Sequence, residues 1–162
     1  MCKAADIAKL IISYGIGFKE SMSDENFLMD FYKVNKLLYL AQGSYLAKYG
    51  EKIFEEDIYA YPCGPYIKEL EFIFNDWEYE PITKQYDFVF TIPSLIRDYL
   101  KNFILEYGIY DKQILGITTK KQAPWKEAIC DSADYNIIST ESIQNYFSGI
   151  HDLKSEIEGN GW

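Results

Sequence analysis

Apolar residues recur at steps of three and four through most of this chain, and that spacing predicts a largely helical protein. Ala4, Ile7, Ala8 and Ile11 set a first helix over 3–14, closed by Gly15-Ile16-Gly17. Phe27, Phe31, Val34, Leu38, Ala41 and Tyr45 then lie on one stripe of a long helix spanning 24–49. Asp24 and Glu25 suit its positive end. Gly50 ends it, because a residue without Cβ takes the left-handed conformation cheaply. Next, Tyr59-Ala60-Tyr61-Pro62-Cys63-Gly64-Pro65 turns the chain sharply. Pro65 suits the first turn of a further helix over 65–77, carried by Ile67, Leu70, Ile73, Phe74 and Trp77.

Two stretches depart from the helical rhythm. Residues 57–61 alternate in part, and 84–92 is β-rich, with Tyr86, Phe88 and Phe90 on one face. The two are expected to pair as a small sheet beside the helices. Helical spacing returns over 94–107, with Leu95, Tyr99, Leu100, Phe103, Ile104 and Tyr107 inward and Gly108 as the stop. Asp111 starts a short helix through Leu115, and Pro124-Trp125 opens another. Ser139 or Thr140 caps a last one, whose apolar side is Ile143, Tyr146, Phe147 and Ile150. The expected fold is mainly α: a single compact helical domain over 1–158 with a small antiparallel β element. Residues 159–162 form a tail with little to bury.

Composition narrows the class. The chain has 162 residues, 48% hydrophobic and 17% aromatic with 15 tyrosines, which is a globular composition large enough for a hydrophobic core. No apolar run reaches the length of a membrane span, and Met1-Cys2-Lys3 opens no signal peptide, so a cytoplasmic protein without membrane contact is expected. Cys2, Cys63 and Cys130 are far apart and read as free thiols in a reduced compartment.

The formal net charge of −9 is unevenly spread, with nine acids in 51–80 against Lys52 and Lys68. Such a field repels phosphate backbones, which disfavours direct nucleic-acid binding, and attracts a basic protein partner. A solvated acidic face that keeps the protein soluble is the simpler alternative. Phe72, Phe74, Trp77 and Tyr79 crowd the same segment, more aromatic surface than a short helix hides. The residues expected to meet a partner are therefore Glu55, Glu56, Asp57, Tyr59, Tyr61, Tyr66, Glu69, Phe72 and Trp77.

Catalytic chemistry finds little footing. His151 is the one histidine, so any triad would have to run through it. Three scattered cysteines make a poor metal set, and no glycine-rich phosphate loop is present, so neither a metal, a cofactor nor an enzyme activity is expected. Cys63 in its tight turn reads as a small filler, with a thiol nucleophile as the sharper alternative. Gln42, between Ala41 and Gly43, reads as a buried amide bridging the long helix to the Gly64-Pro65 turn, or else as a polar group lining a partner groove. Trp125 at a helix start either seals the core or anchors a partner.

Two motifs carry a family resemblance. KLLYLAQGSYLAKYG from Lys36 to Gly50, followed by F-x-x-x-I-x-A-Y-x-x-GP from Phe54 to Pro65, resembles the signature of the Panacea antitoxin domain. That SocA-like group includes bacterial and phage-encoded proteins. Its second signature, L-x-x-LTH-x-E-x-PW-x-x-A, is similar without a gap to Leu115–Ala128, with Lys120 replacing the histidine and Gln122 the glutamate. The resemblance spans roughly 4–148. It implies a scaffold built on Leu38, Tyr39, Gln42, Gly43, Tyr45, Gly50, Gly64, Pro65, Thr119 (as a cap), Pro124 and Trp125. It further implies a non-enzymatic antitoxin that binds a cognate toxin protein, with delivery to a Clp-type protease as an added adaptor role. A phage-encoded acidic mimic of nucleic acid, inhibiting a host defence enzyme, is the rival reading of the same charge cluster. The oligomeric state and the toxin's chemistry are not written in the residues.

Overall fold

A computed structural model describes residues 1–87, 91–130, 136–150 and 152–161. It is mainly helical, with one small antiparallel sheet, as the spacing predicts. The first helix, α1 (Ala4–Met22), runs well past the expected stop at Gly15 and ends at Ser23 in the left-handed region. Gly15 serves packing instead: a Cβ there would lie 2.5 Å from the Phe27 carbonyl oxygen. Asp24 caps only a 3-10 turn, Glu25–Phe27. The central helix α2 (Phe31–Tyr49) begins later, where the Asp30 carboxylate accepts the Lys33 N–H at 2.8 Å. Gly50 ends it at φ 73 with its N–H on the Leu46 carbonyl, as expected.

The stripe expected on α2 is too narrow a description. Phe31, Val34, Leu38, Ala41 and Tyr45 are buried, but so are Leu37, Tyr39, Leu40 and Leu46. A helix apolar on most sides is wrapped by neighbours rather than laid on a surface. Those neighbours are α1, α4 (Ser94–Tyr107), α5 (Lys112–Lys121) and α7 (Thr140–Ser148).

The sharp turn after Tyr61 makes a hairpin rather than a helix start. β1 (Ile58–Tyr61) pairs antiparallel with β2 (Gly64–Tyr66), with Tyr59 opposite Tyr66 and Tyr61 opposite Gly64. Gly64 sits at φ 117, a conformation that side-chain-bearing residues avoid. Pro65 lies in edge strand β2, where a missing donor is tolerated. The other described partner of β1 is β3 (Ile137–Ile138), with Ile58 opposite Ile138. Residues 84–87 carry no regular structure, and Phe88, Val89 and Phe90 lie outside the described residues. The helix expected over 65–77 is broken into a 3-10 turn (Lys68–Leu70), the short α3 (Glu71–Phe74) and a second 3-10 turn (Asn75–Trp77).

Helix α4 matches its predicted span, with Leu100, Phe103 and Ile104 buried, although Leu95, expected inward, is 56% exposed. Asp111 caps α5, which continues six residues beyond the expected end at Leu115. Thr119 therefore lies inside a helix rather than capping one, its hydroxyl donating to the Gly116 carbonyl at 3.0 Å. Pro124 opens α6 (Ala123–Ile129), and Ser139 caps α7. The last helix expected from the sequence stops at Ser148, and a separate α8 (Leu153–Glu158) follows. Beyond it, the Asn160 amide donates to Thr118 and to the Glu156 carbonyl.

Candidate functional site

Three polar side chains are buried on the first turns of α2, and two of them, Asn35 and Lys36, hold the hairpin and the residues after it. Asn35 accepts the Ile67 N–H at 2.8 Å and donates to the Phe31 carbonyl at 3.1 Å, so both ends of its amide are used. Lys36 is fully buried; its Nζ donates to the Pro65 carbonyl at 3.4 Å and lies 3.8 Å from the centre of the Tyr32 ring. A Cβ on Gly64 would come within 2.8 Å of Lys36 Cε, so the glycine is required by contact as well as by φ. Lys33 donates to the carbonyls of Asn26 and Gly108, at 2.6 and 2.7 Å. It thereby places a cation at the negative end of α4. Burial pushes both ammonium groups down to about 8. At neutral pH they remain charged, and the carbonyl and ring contacts are what make that state tolerable.

Of the residues implied as scaffold, Gly64, Pro65, Thr119 and Trp125 meet at this turn, while those of α2 serve other contacts. Leu38, Tyr39 and Tyr45 fill the core side of α2. The Trp125 indole donates to the Tyr61 carbonyl at 2.9 Å, tying α6 to the hairpin. Gln42 is buried, as expected, but serves a different segment from the one expected. It donates to the Phe54 carbonyl at 3.0 Å and accepts the Ile53 N–H at 2.7 Å, whereas Asn35 and Lys36 reach the 64–67 stretch. Gly43 is required because the Phe147 ring of α7 lies on it, 2.4 Å from where a Cβ would stand.

At the hairpin is an open groove of about 630 Å³. Its base is Phe31, Tyr32 and Asn35 with Lys36 beneath, and the hairpin contributes Cys63 and Tyr66. Glu71, Asn75, Glu78 and Tyr79 of the turns after the hairpin also line it, as do Lys112 and Gln113 of α5. Tyr66 is held in place: its ring stacks on Tyr61 at 4.4 Å between centres and its hydroxyl donates to Glu71 at 2.7 Å. Burial and that carboxylate both push the Tyr66 phenol upward, so it stays a neutral donor. Lys112 is engaged with the buried Asp30 at 2.5 Å.

The expected partner residues separate into two places. Tyr66 lines the groove, and Phe72, one residue from Glu71, is 95% exposed. Tyr59 and Tyr61 are half-buried, with the Lys68 ammonium 4.3 Å from the Tyr59 ring centre. Trp77 is half-buried against the core, and Glu69 is exposed. By contrast, Glu55 pairs with Lys3, and the Glu56 carboxylate accepts the Ala4 N–H at 2.8 Å, capping α1. Asp57 is exposed, and none of the three acids lines the groove. Sequence reasoning missed Tyr32, Asn35, Lys36, Asn75 and Gln113. The available signal was the cluster of Lys33, Asn35 and Lys36 on the first turns of a helix that is apolar through Leu37–Ala41.

Among the described residues, no three of His, Cys, Asp and Glu converge in a way that could hold a metal ion. No described helix is long and apolar enough to cross a membrane. His151 lies outside the described residues. In comparison with known proteins, a family model described as antitoxin SocA-like, Panacea domain, matches residues 34–148, which takes in most of α2, the hairpin, all of the groove's lining but Phe31 and Tyr32, and α7. No curated protein and no solved structure matches the chain.

Proposed function

Because the chain belongs to the SocA-like Panacea antitoxin family, we propose that it neutralises a cognate toxin protein by binding it directly, through the groove and the aromatic, acidic turns beside it. The observation that carries the reading is Phe72. It is an aromatic side chain 95% exposed on a short helix, in a segment that also holds Tyr79, 79% exposed, and the exposed acids Glu69, Glu71, Asp76 and Glu78. Burying such a ring contributes about 2 kcal/mol or more, and a folded chain that leaves it in water gains that only when a partner covers it. The hairpin beneath is held rigid by Lys36, Asn35 and Trp125, so the surface needs little ordering on contact. The acidic rim speeds encounter with a basic partner.

The test is rescue. A reading frame adjacent to this gene that arrests growth when expressed alone is expected to be tolerated when this chain is co-expressed. Phe72→Ala is expected to weaken the complex by about tenfold or more, the loss typical of an interface anchor, with an unchanged melting curve. No rescue by the wild-type chain against any adjacent frame would reject the reading. Neutralisation that persists in cells lacking the Clp-type protease assigns it to binding itself, whereas loss of neutralisation there assigns it to delivery.

A further inference from the structure

The groove joins two kinds of surface that suit one kind of side chain. Phe31, Tyr66 and Tyr79 bring aromatic rings to its lining, and Glu71 and Glu78 bring carboxylates. The lysines nearby do not neutralise those acids. Lys112 is committed to Asp30 at 2.5 Å. Lys36 is fully buried and turned to the Pro65 carbonyl and the Tyr32 ring. Glu71 spends Oε1 on the Tyr66 hydroxyl, and Glu78 is exposed with no hydrogen bond or ion pair to any described residue. The groove thus presents aromatic side chains beside two carboxylates that no lysine of its lining pairs with, on a chain whose formal net charge is −9.

A planar, weakly hydrated guanidinium meets both demands, because it stacks on aromatic faces and forks onto carboxylates. An ammonium is a compact, strongly hydrated point charge and meets only the second. We infer that the groove receives an arginine side chain of the partner protein, its guanidinium lying along the tyrosines and paired with Glu71 and Glu78. This rests on the reading of the chain as a toxin-binding antitoxin, and it names the chemistry that the toxin must present.

The test needs no toxin. The isotopically labelled full chain is titrated with acetyl-arginine amide and with acetyl-lysine amide, following amide chemical shifts. The arginine compound is expected to shift Tyr66, Glu71, Glu78 and Tyr79 selectively and to bind more tightly than the lysine compound. Glu78→Gln is expected to weaken it by about threefold, the scale of one partly exposed ion pair. Acetyl-Ala-Arg-Ala-amide is expected to bind more tightly than free arginine, whose bare carboxylate meets the same acids. Equal responses to arginine and lysine, shifts scattered over the whole acidic surface, an unaffected Glu78→Gln, or tighter binding of free arginine would each overturn the inference. Failure here leaves the antitoxin reading standing, since rescue is a separate measurement. Failed rescue removes that reading whatever the titration gives.

Discussion

At Gln42 a single amide completes the backbone pairing of an irregular segment whose other partner is a bridge to Cys2. Residues 53 and 54 follow the end of α2 and lie deep in the core, where an unpaired N–H or C=O costs about 1–3 kcal/mol. The side chain accepts from Ile53 and donates to Phe54 carbonyl, so both are satisfied from one residue. Gln42→Leu keeps roughly the same bulk and strands those groups, and a loss of about 3 kcal/mol in urea denaturation is expected. A loss below about 0.5 kcal/mol would mean that water or another group replaces the amide. The sequence shows that a polar residue in the middle of an apolar helix must find a partner. Which partner it finds depends on what folds against that face, and 53–54 arrives there rather than the Gly64-Pro65 turn.

Among the elements, the helices with strong local signals formed as predicted, and those whose limits depend on other parts of the chain did not. Helix α4 has a clear period and a glycine stop, and its span was legible. Helix α1 passes through Gly15 because that glycine answers the Phe27 carbonyl, a contact invisible to any local pattern. The hairpin was misread as a helix start because Pro62, Gly64 and Pro65 suit both turns. The choice was made by pairing with β3, some seventy residues later, and by the Lys36 contact with Pro65. The packing of α2 on α7 gives the element-scale prediction. Gly43→Ala pushes a methyl to 2.4 Å from the Phe147 ring, and overpacking of this kind costs about 1–3 kcal/mol. Combining it with Phe147→Leu should recover part of that, so the double variant is expected to be at least about 1 kcal/mol better than the sum of the singles. Simple additivity in thermal or urea melts would place the strain elsewhere.

Across the whole molecule, the pH dependence of stability reports on the two buried amines. Lys33 and Lys36 are held down to about 8 by burial, against about 10.4 in an unfolded chain. Between those values the unfolded chain binds more protons than the folded one, so stability rises with pH from about 8 to about 10. Each amine adds at most about 1.4 kcal/mol per pH unit over that window. Higher still the sign reverses. Burial raises Tyr107 to about 12 and pushes Tyr99 upward as well, so the folded chain keeps phenolic protons that the unfolded chain loses above about pH 10. Urea melts from about pH 7 to about pH 11 are therefore expected to show a maximum near pH 10, with the rise reduced in Lys36→Met. A steady fall from neutral pH in the wild-type chain would contradict the buried charges.

The candidate site was legible in composition but not in geometry. The acids and aromatics of 51–80 pointed to a surface for a basic partner, and Phe72 and Tyr79 do stand exposed. Glu55 and Glu56, adjacent in sequence to that surface, were instead drawn to Lys3 and to the start of α1. By itself the sequence determined the helical class, the glycine end of α2, the caps at Asp111 and Ser139 and the family signature, because each rests on short-range steric or hydrogen-bonding preferences carried by neighbouring residues. Only the tertiary structure decided which strand pairs with β1, where the buried amide and amines find acceptors, and which acids remain free to meet a partner. Those outcomes depend on groups distant along the chain competing for the same donors, acceptors and space, and the competition is settled only when the elements pack.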